Sequence, residues 1–327
     1  MNSDLWKYCT GSQCRDFLLS LNLTGNMKLS DEKKLALLYG LANHTQDHYK
    51  RVEIPKKTGG FRTLYVPDPV LKYIQRQILS NVLCQFSVSP CATAYQKGHS
   101  LICSAKPHLR KPMLLKLDIS DFFGSITYIS VYQHAFPGEI FPPSARTLLT
   151  HLCCFQDMLP QGAPTSPYIS NLVLAPFDKY MEKWCRDRAI TYTRYCDDMT
   201  FSGSFSPGQV TAKVRGFLGR LGFQLNPEKT RVIHQGQRQI VTGIVVNEKA
   251  QTAKAYRRRL RQEIYYIEKF GICEHLKNIH SPQTPENYLK SLEGKIRYCL
   301  QVNPQDVQLL NLWEKFKKIK TEGISES

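Results

Sequence analysis

The chain has 327 residues, 42% of them hydrophobic and 22% charged, a balance that excludes intrinsic disorder and leaves room for more than one compact unit. No run of about eighteen apolar residues occurs, so no membrane span is expected, and the opening stretch lacks the basic-then-apolar pattern of a secretory signal. A formal net charge of +17 suits a polyanionic partner, nucleic acid first.

Eleven cysteines are present without a CxxC pair, and nine histidines without zinc-finger spacing. They read as reduced thiols and ordinary side chains of a cytoplasmic protein. Residues 1–48 look helical, with Ser30 capping a segment whose Leu35, Leu38 and Leu41 recur at helical spacing. Two β-like runs flank Thr58-Gly59-Gly60, a hairpin signal. Asp68-Pro69 opens a helix whose apolar face is Leu71, Ile74, Ile78 and Val82.

"MLLKLD" predicts a central buried strand ending at Asp118. "LPQGAPTSPYISNLVLAPFDKYMEKW" predicts a loop and then a helix, with Ser166-Pro167 as its start. Ile169, Leu172, Val173, Tyr180 and Trp184 form its periodic face, and Pro176 kinks it. Asp197 and Asp198 sit at the tip of a hairpin. A helix spans about 207–221, and "QIVTGIVVN" predicts a strand. From Lys254 the pattern is helical and basic: Leu260, Ile264 and Ile267 on one side, Arg257, Arg258 and Arg261 on the other. A last helix pair carries Leu292, Ile296 and Leu300, then Leu310, Trp313 and Phe316. Helices, then mixed elements, then helices again predict an α+β centre with helical flanks.

Adjacent aspartates in a hairpin can be a mere polar turn. If the strand of Asp118 neighbours that hairpin, however, three carboxylates converge at one sheet edge. They then need protons or a hard divalent cation such as Mg²⁺, and two such ions suit phosphoryl transfer.

"YCDD" resembles the YxDD box of reverse transcriptases, "LKLDISDFFGSI" their first catalytic-aspartate motif, and "LPQGAPTSP" the loop–helix motif between them. "IPKKTGGFRTLYVPDP" resembles their fingertip hairpin and "GFQLNPEKT" the segment after the box. "VTG" (Val241–Gly243) and "SAKPH" (residues 104–108, with Ser104 in place of an asparagine) resemble elements of the bacterial retron branch.

The resemblance implies a right-hand polymerase fold. Residues 1–110 would form N-terminal helices and fingers, 111–240 a palm with an interleaved fingers segment near 140–170, and 241–327 a basic helical thumb. It implies Asp118, Asp197 and Asp198 as catalytic metal ligands, joined by the Ile119 carbonyl, for two Mg²⁺ ions with Mn²⁺ as a substitute. Lys229 aligns with a general acid toward pyrophosphate. Phe123 aligns with the steric gate against a 2′-hydroxyl, Gln161 with the nucleotide contact, and Lys57 and Arg62 with the triphosphate grip, Lys56 competing for the lysine role. Arg257, Arg258, Arg261 and Tyr265, beside Tyr256 and Tyr266, would hold RNA.

The activity implied is RNA-directed DNA synthesis from dNTPs on a cognate structured non-coding RNA. It would be primed from a guanosine 2′-hydroxyl and give RNA-linked multicopy single-stranded DNA. The implied setting is a bacterial cytoplasm and an antiphage defence system with a separate effector, host RNase H removing the template and no membrane taking part. Alternatives are a free-standing group II-like or diversity-generating reverse transcriptase, or a non-catalytic RNA-binding scaffold.

Overall fold

The computed structural model describes residues 6–56 and 59–325, with side chains as far as residue 321. Helices α1 (Gly11–Ser20) and α2 (Asp31–Asn43) precede a hairpin of β1 (Tyr49–Pro55) and β2 (Phe61–Pro67), then α3 (Pro69–Gln77). Next come α4 (Leu101–Ala105), β3 (Met113–Asp118), α5 (Tyr128–His134), α6 (Pro143–Cys153), α7 (Ser166–Val173) and α8 (Ala175–Arg186). Strands β4 (Thr191–Tyr195) and β5 (Asp198–Ser202), helix α9 (Pro207–Arg220), and strands β6 (Arg231–His234), β7 (Ile240–Val241) and β8 (Ile244–Val245) follow. The described chain ends with α10 (Lys254–Phe270), α11 (Ile272–Asn278), α12 (Pro285–Val302) and α13 (Val307–Ser325). Helices with an antiparallel sheet are the α+β class expected.

One sheet has the strand order β4–β5–β3–β6, which makes β3 and β5 direct neighbours. Packing divides the chain into two compact units. The first comprises residues 1–98, 115–200 and 205–231, the second 99–114, 201–204 and 232–327.

In the first unit, β1 and β2 pair antiparallel from Tyr49↔Pro67 to Pro55↔Phe61, and Gly59 and Gly60 take positive φ at the tip. Asp68 caps α3 by accepting from the Leu71 N–H. The stripe Leu71, Ile74, Ile78 and Val82 is buried as expected, its last turn in π-helical form over Ile78–Val82. Strand β3 is apolar on both sides and buried accordingly.

Pro176 does more than kink the helix expected there. The element is broken at Leu174 into α7 and α8, with proline in the first turn of each. The N-cap position of α7 is Thr165, one residue before the expected Ser166, whose hydroxyl instead donates to the Pro160 carbonyl at 2.6 Å. The break also resets the apolar phase: Phe177, Met181 and Cys185 are buried in α8, while Tyr180 of the expected face is exposed.

In the second unit, α10, α12 and α13 share one core of Leu260, Ile264, Ile267, Leu292, Ile296, Leu309, Leu312 and Phe316. Each such side chain contributes about 1.5–3 kcal/mol on burial, more than the intrinsic propensity of a lone helix supplies. On α13 Phe316 is buried and Trp313 packs against this core as expected, but Leu309 and Leu312 are the other inward residues and Leu310 is exposed. Arg257 does not face outward with its neighbours. It pairs with Asp306 at 3.0 Å and donates to Gln251 at 2.7 Å.

"QIVTGIVVN" is a tight hairpin of β7 and β8 and not one strand. Thr242 and Gly243 have φ of 48° and 84°, the two positive values that a two-residue hairpin turn of the right twist demands. The "VTG" and "SAKPH" elements meet in one small core through Ala105, Leu114, Val241 and Ile244, and the Thr242 hydroxyl donates to the Leu101 carbonyl at 3.0 Å. His108 is buried 2.6 Å from the Ser202 hydroxyl.

All eleven cysteines are free. Cys84, Cys103 and Cys273 are exposed, whereas Cys91, Cys153, Cys154, Cys185, Cys196 and Cys299 are buried.

Candidate active site

Strand β3 delivers Asp118 to its C-terminal end, and the β4–β5 turn delivers Asp197 and Asp198 beside it. The turn is held to the strand by the backbone: the Ile119 N–H donates to the Asp197 carbonyl at 3.3 Å. Cys196, just before the acids, adopts a positive φ of 60°, which turns the chain sharply enough to present consecutive carboxylates. Burial of Met199 and Phe201 on β5 anchors the far side of the hairpin.

Asp118 is 5% exposed. Burial pushes its carboxyl above the ordinary range. The Lys229 hydrogen bond opposes this, and the charges of Asp197 and Asp198 add to it. Asp198 is likewise raised by burial first, with Lys116 opposing and Asp197 adding.

The Lys229 ammonium donates to both Asp118 oxygens, at 2.8 and 3.0 Å, and this bond raises its own pKa above the usual lysine value. It is placed by a 3₁₀ turn over Pro227–Lys229, capped by the Asn226 side chain. The Asn226 N–H in turn donates to the Asp118 carbonyl at 2.8 Å. "NPEKT" is thus both a capped turn and a means of aiming Lys229.

These groups line one cavity of about 630 Å³ within the first unit. Asp118, Ile119, Phe123, Gln161, Asp197, Asp198, Lys229, Arg62 and Lys56 all reach it. Phe122 is the buried member of its aromatic pair, and Phe123 is half-buried with its ring 5.3 Å from that of Phe122.

Gln161 is brought to β2 by a close backbone approach. The Tyr65 N–H donates to the Gln161 carbonyl at 2.9 Å. Gly162 has φ of 132°, and a Cβ there would lie 2.7 Å from the Tyr65 carbonyl oxygen. Gln161 and Arg62 both line the cavity. Lys57 lies outside the described residues.

Arg257, Arg258, Arg261 and Tyr265 are on α10 of the second unit. Arg258 and Tyr265 face solvent, while Arg257 is engaged with Asp306 and Arg261 with Gln308.

The donor chemistry at the acids, carboxylates with a neighbouring backbone carbonyl, fits Mg²⁺ or Mn²⁺ and not a soft metal. Among the described residues no three acidic, histidine or cysteine side chains are gathered closely enough to hold an ion as they stand. Lys229 supplies the countercharge to Asp118 instead.

Several residues at this site went unnoticed in the sequence. Tyr95 and Phe155 also line the cavity; as single aromatics outside any motif they carry no signal, whereas Tyr195 and Asn226, which line it too, lie inside the YCDD and GFQLNPEKT stretches without a role having been assigned to them. Arg194, given no role in the sequence, is fully buried. Its guanidinium grips Asp178 through Nε and Nη2 at 2.9 and 2.5 Å and reaches the Cys196 carbonyl at 2.9 Å.

Residues 54–289 match the family model described as reverse transcriptase (RNA-dependent DNA polymerase). The chain is 32% identical over 286 residues to the retron Mx65 reverse transcriptase of Myxococcus xanthus, covering 80% of this chain and 63% of that one. It is 32% identical to the retron Ec86 reverse transcriptase of Escherichia coli, covering 68% and 72%. To the retron Mx162 reverse transcriptase of Myxococcus xanthus it is 33% identical, covering 69% and 54%. It therefore spans somewhat more than half the length of two of these relatives. Among solved structures, telomerase from Candida albicans in complex with a fragment of telomeric RNA aligns with a TM-score of 0.48 at 10% identity, over 85% of this chain and 64% of that one. With residues of ordered motifs lining one cavity and a family match across most of its length, the chain belongs to the reverse transcriptases, in their retron branch.

Proposed function

We propose that the chain is an RNA-directed DNA polymerase that copies a structured non-coding RNA of its own retron. One observation carries this reading: Asp118, Asp197, Asp198, Lys229, Arg62, Phe123 and Gln161 share a single cavity. Metal-platform acids, a proton donor, a phosphate-binding cation and an aromatic wall are what nucleotidyl transfer needs in one place.

Asp118, Asp197, Asp198 and the Ile119 carbonyl would hold Mg²⁺, which when bound supplies charge to the attacking and leaving oxygens. Arg62, with Lys56 or Lys57, grips the triphosphate through charge-assisted bonds. Phe123 closes the space beside the sugar C2′. Lys229, kept protonated by Asp118, can give a proton to the departing pyrophosphate. Residues 1–110 would act as N-terminal helices and fingers, 111–240 as palm with an interleaved fingers segment near 140–170, and 241–327 as thumb.

Priming from a 2′-hydroxyl, RNA-linked single-stranded DNA as product, an effector partner, host RNase H and an antiphage role extend the proposal. They are supported by the "VTG" and "SAKPH" elements and by the retron names of the relatives. No described helix is long and apolar enough to cross a membrane.

The test is extension on an RNA template with dNTPs and Mg²⁺, alongside sequencing of the nucleic acid that co-purifies with the protein. Incorporation that vanishes in Asp197→Asn/Asp198→Asn while RNA binding persists supports the reading. Undiminished synthesis by that variant, or none by the parent chain, removes it.

A further inference from the structure

Behind the acidic turn lies a buried polar cluster that none of the proposed catalytic roles uses. Arg194, Asp178 and Asn171 are each 0% exposed. Arg194 Nε and Nη2 hold the two oxygens of Asp178, and Nη1 divides itself between Asn171 Oδ1 at 3.1 Å and the Cys196 carbonyl at 2.9 Å. The Tyr192 hydroxyl adds a bond to Asp178 at 2.8 Å. Asn171 is itself fixed by donating to the Ala94 carbonyl at 2.9 Å. The Arg194 backbone is pinned on both sides, its N–H to Cys91 and its carbonyl to the Thr93 N–H.

A buried ion pair of this kind is weak evidence for stability, because desolvation consumes much of the attraction. Its geometry suggests another task. The acceptor at Cys196 is the carbonyl of the peptide that joins Cys196 to Asp197, and Cys196 holds a positive φ of 60°, a conformation costly to a residue with a side chain. The guanidinium cancels its charge against Asp178 and directs a remaining donor at that one peptide plane. Asn171 lies on α7, directly after the loop that carries Gln161. The same cluster therefore ties the acidic turn to the element beside the nucleotide contact.

Resting on the polymerase reading above, we infer that Arg194, seated on Asp178 and Asn171, is a positioning residue: it fixes the Cys196–Asp197 peptide and thereby the direction in which Asp197 presents its carboxylate to a divalent ion.

Two variants of the full chain test this. Arg194→Met/Asp178→Leu replaces the pair by neutral side chains of similar bulk. Arg194→Lys keeps a charge for Asp178 but is too short and too poor in donors to reach Cys196 as well. Each is measured for thermal unfolding, for Mn²⁺ binding by loss of the free-ion paramagnetic resonance signal, and for steady-state incorporation.

The expected result is a folded protein in which Mn²⁺ affinity and kcat both fall about 10-fold or more, the scale typical of outer-shell partners of metal ligands. KM for the dNTP stays within about twofold, because Arg62 and Gln161 are untouched. Arg194→Lys should lie between the double variant and the parent. A folded double variant with unchanged Mn²⁺ affinity and kcat overturns the inference. Unfolding of both variants does so as well, since the cluster would then be a core ion pair and nothing more. A parent chain that binds Mn²⁺ yet incorporates nothing defeats the polymerase reading, and the Mn²⁺ comparison still decides the role of Arg194.

Discussion

Phe123 and His108 show how differently two residues singled out in the sequence can be used. Phe123 lines the cavity beside the Phe122 ring, so under the proposed function its action would be steric. An apolar wall rejects an added hydroxyl only modestly, by about 10²-fold, and Phe123→Ala should lose discrimination of that order between dNTP and rNTP. Competition assays read it, and unchanged selectivity would place the gate elsewhere. His108, by contrast, is a structural histidine of the second unit. Burial, with Lys111 adding, pushes its pKa from 6.5 down to about 3. It is neutral when folded, whereas the unfolded chain takes up a proton below about pH 6.5. The unfolded state therefore binds more protons across that window. This contribution to stability is complete above the unfolded value and is lost as pH falls, by about 2 kcal/mol at pH 5. Chemical denaturation between pH 7 and 5 should show the slope, and His108→Gln should flatten it.

Among the elements, the loop bearing Gln161 depends on a single glycine. Gly162→Ala sets a Cβ 2.7 Å from the Tyr65 carbonyl oxygen at a φ of 132°. The backbone strain, about 1–3 kcal/mol, should move Gln161 off the nucleotide and raise KM for the dNTP more than it lowers kcat. An unaltered KM would mean that the approach to β2 has no part in nucleotide contact. Strands β1 to β5, the acidic turn and the cap at Asp68 were legible because each has a local cause: alternating or continuous apolar runs, turn formers, and a carboxylate preceding proline; β6 and the split of the β7–β8 run were not. The phase of α8 was not, nor the exposure of Leu310 on α13, because tertiary packing after the Leu174 break, and on Leu309 and Leu312, chose between neighbouring residues. Arg194 was illegible for a related reason. An arginine announces charge in a sequence, and only a fold that buries Asp178 opposite it turns that charge into an internal brace.

Taken whole, the molecule carries a charge of +17, far beyond what the acidic cavity needs, and the excess is available to a polyanion. If about six phosphates are held, affinity for a structured RNA should fall on the order of 10³-fold between 50 and 200 mM salt. Filter binding across that range checks it, and a flat response would mean that charge has little share in RNA capture. The distribution of thiols has a practical bearing too. Cys91, Cys153 and Cys185 are pushed up to about 12 by burial, as is Cys196 beside the acids, and such groups present almost no thiolate at neutral pH. Cys84 on one unit and Cys103 and Cys273 on the other are exposed. Together with the half-buried Cys9 and Cys14, these are the chemical handles that nature has left outside a sealed interior, so a maleimide dye or a spin label can be fitted to the wild-type polypeptide while the sulfur adjoining Asp197 stays untouched.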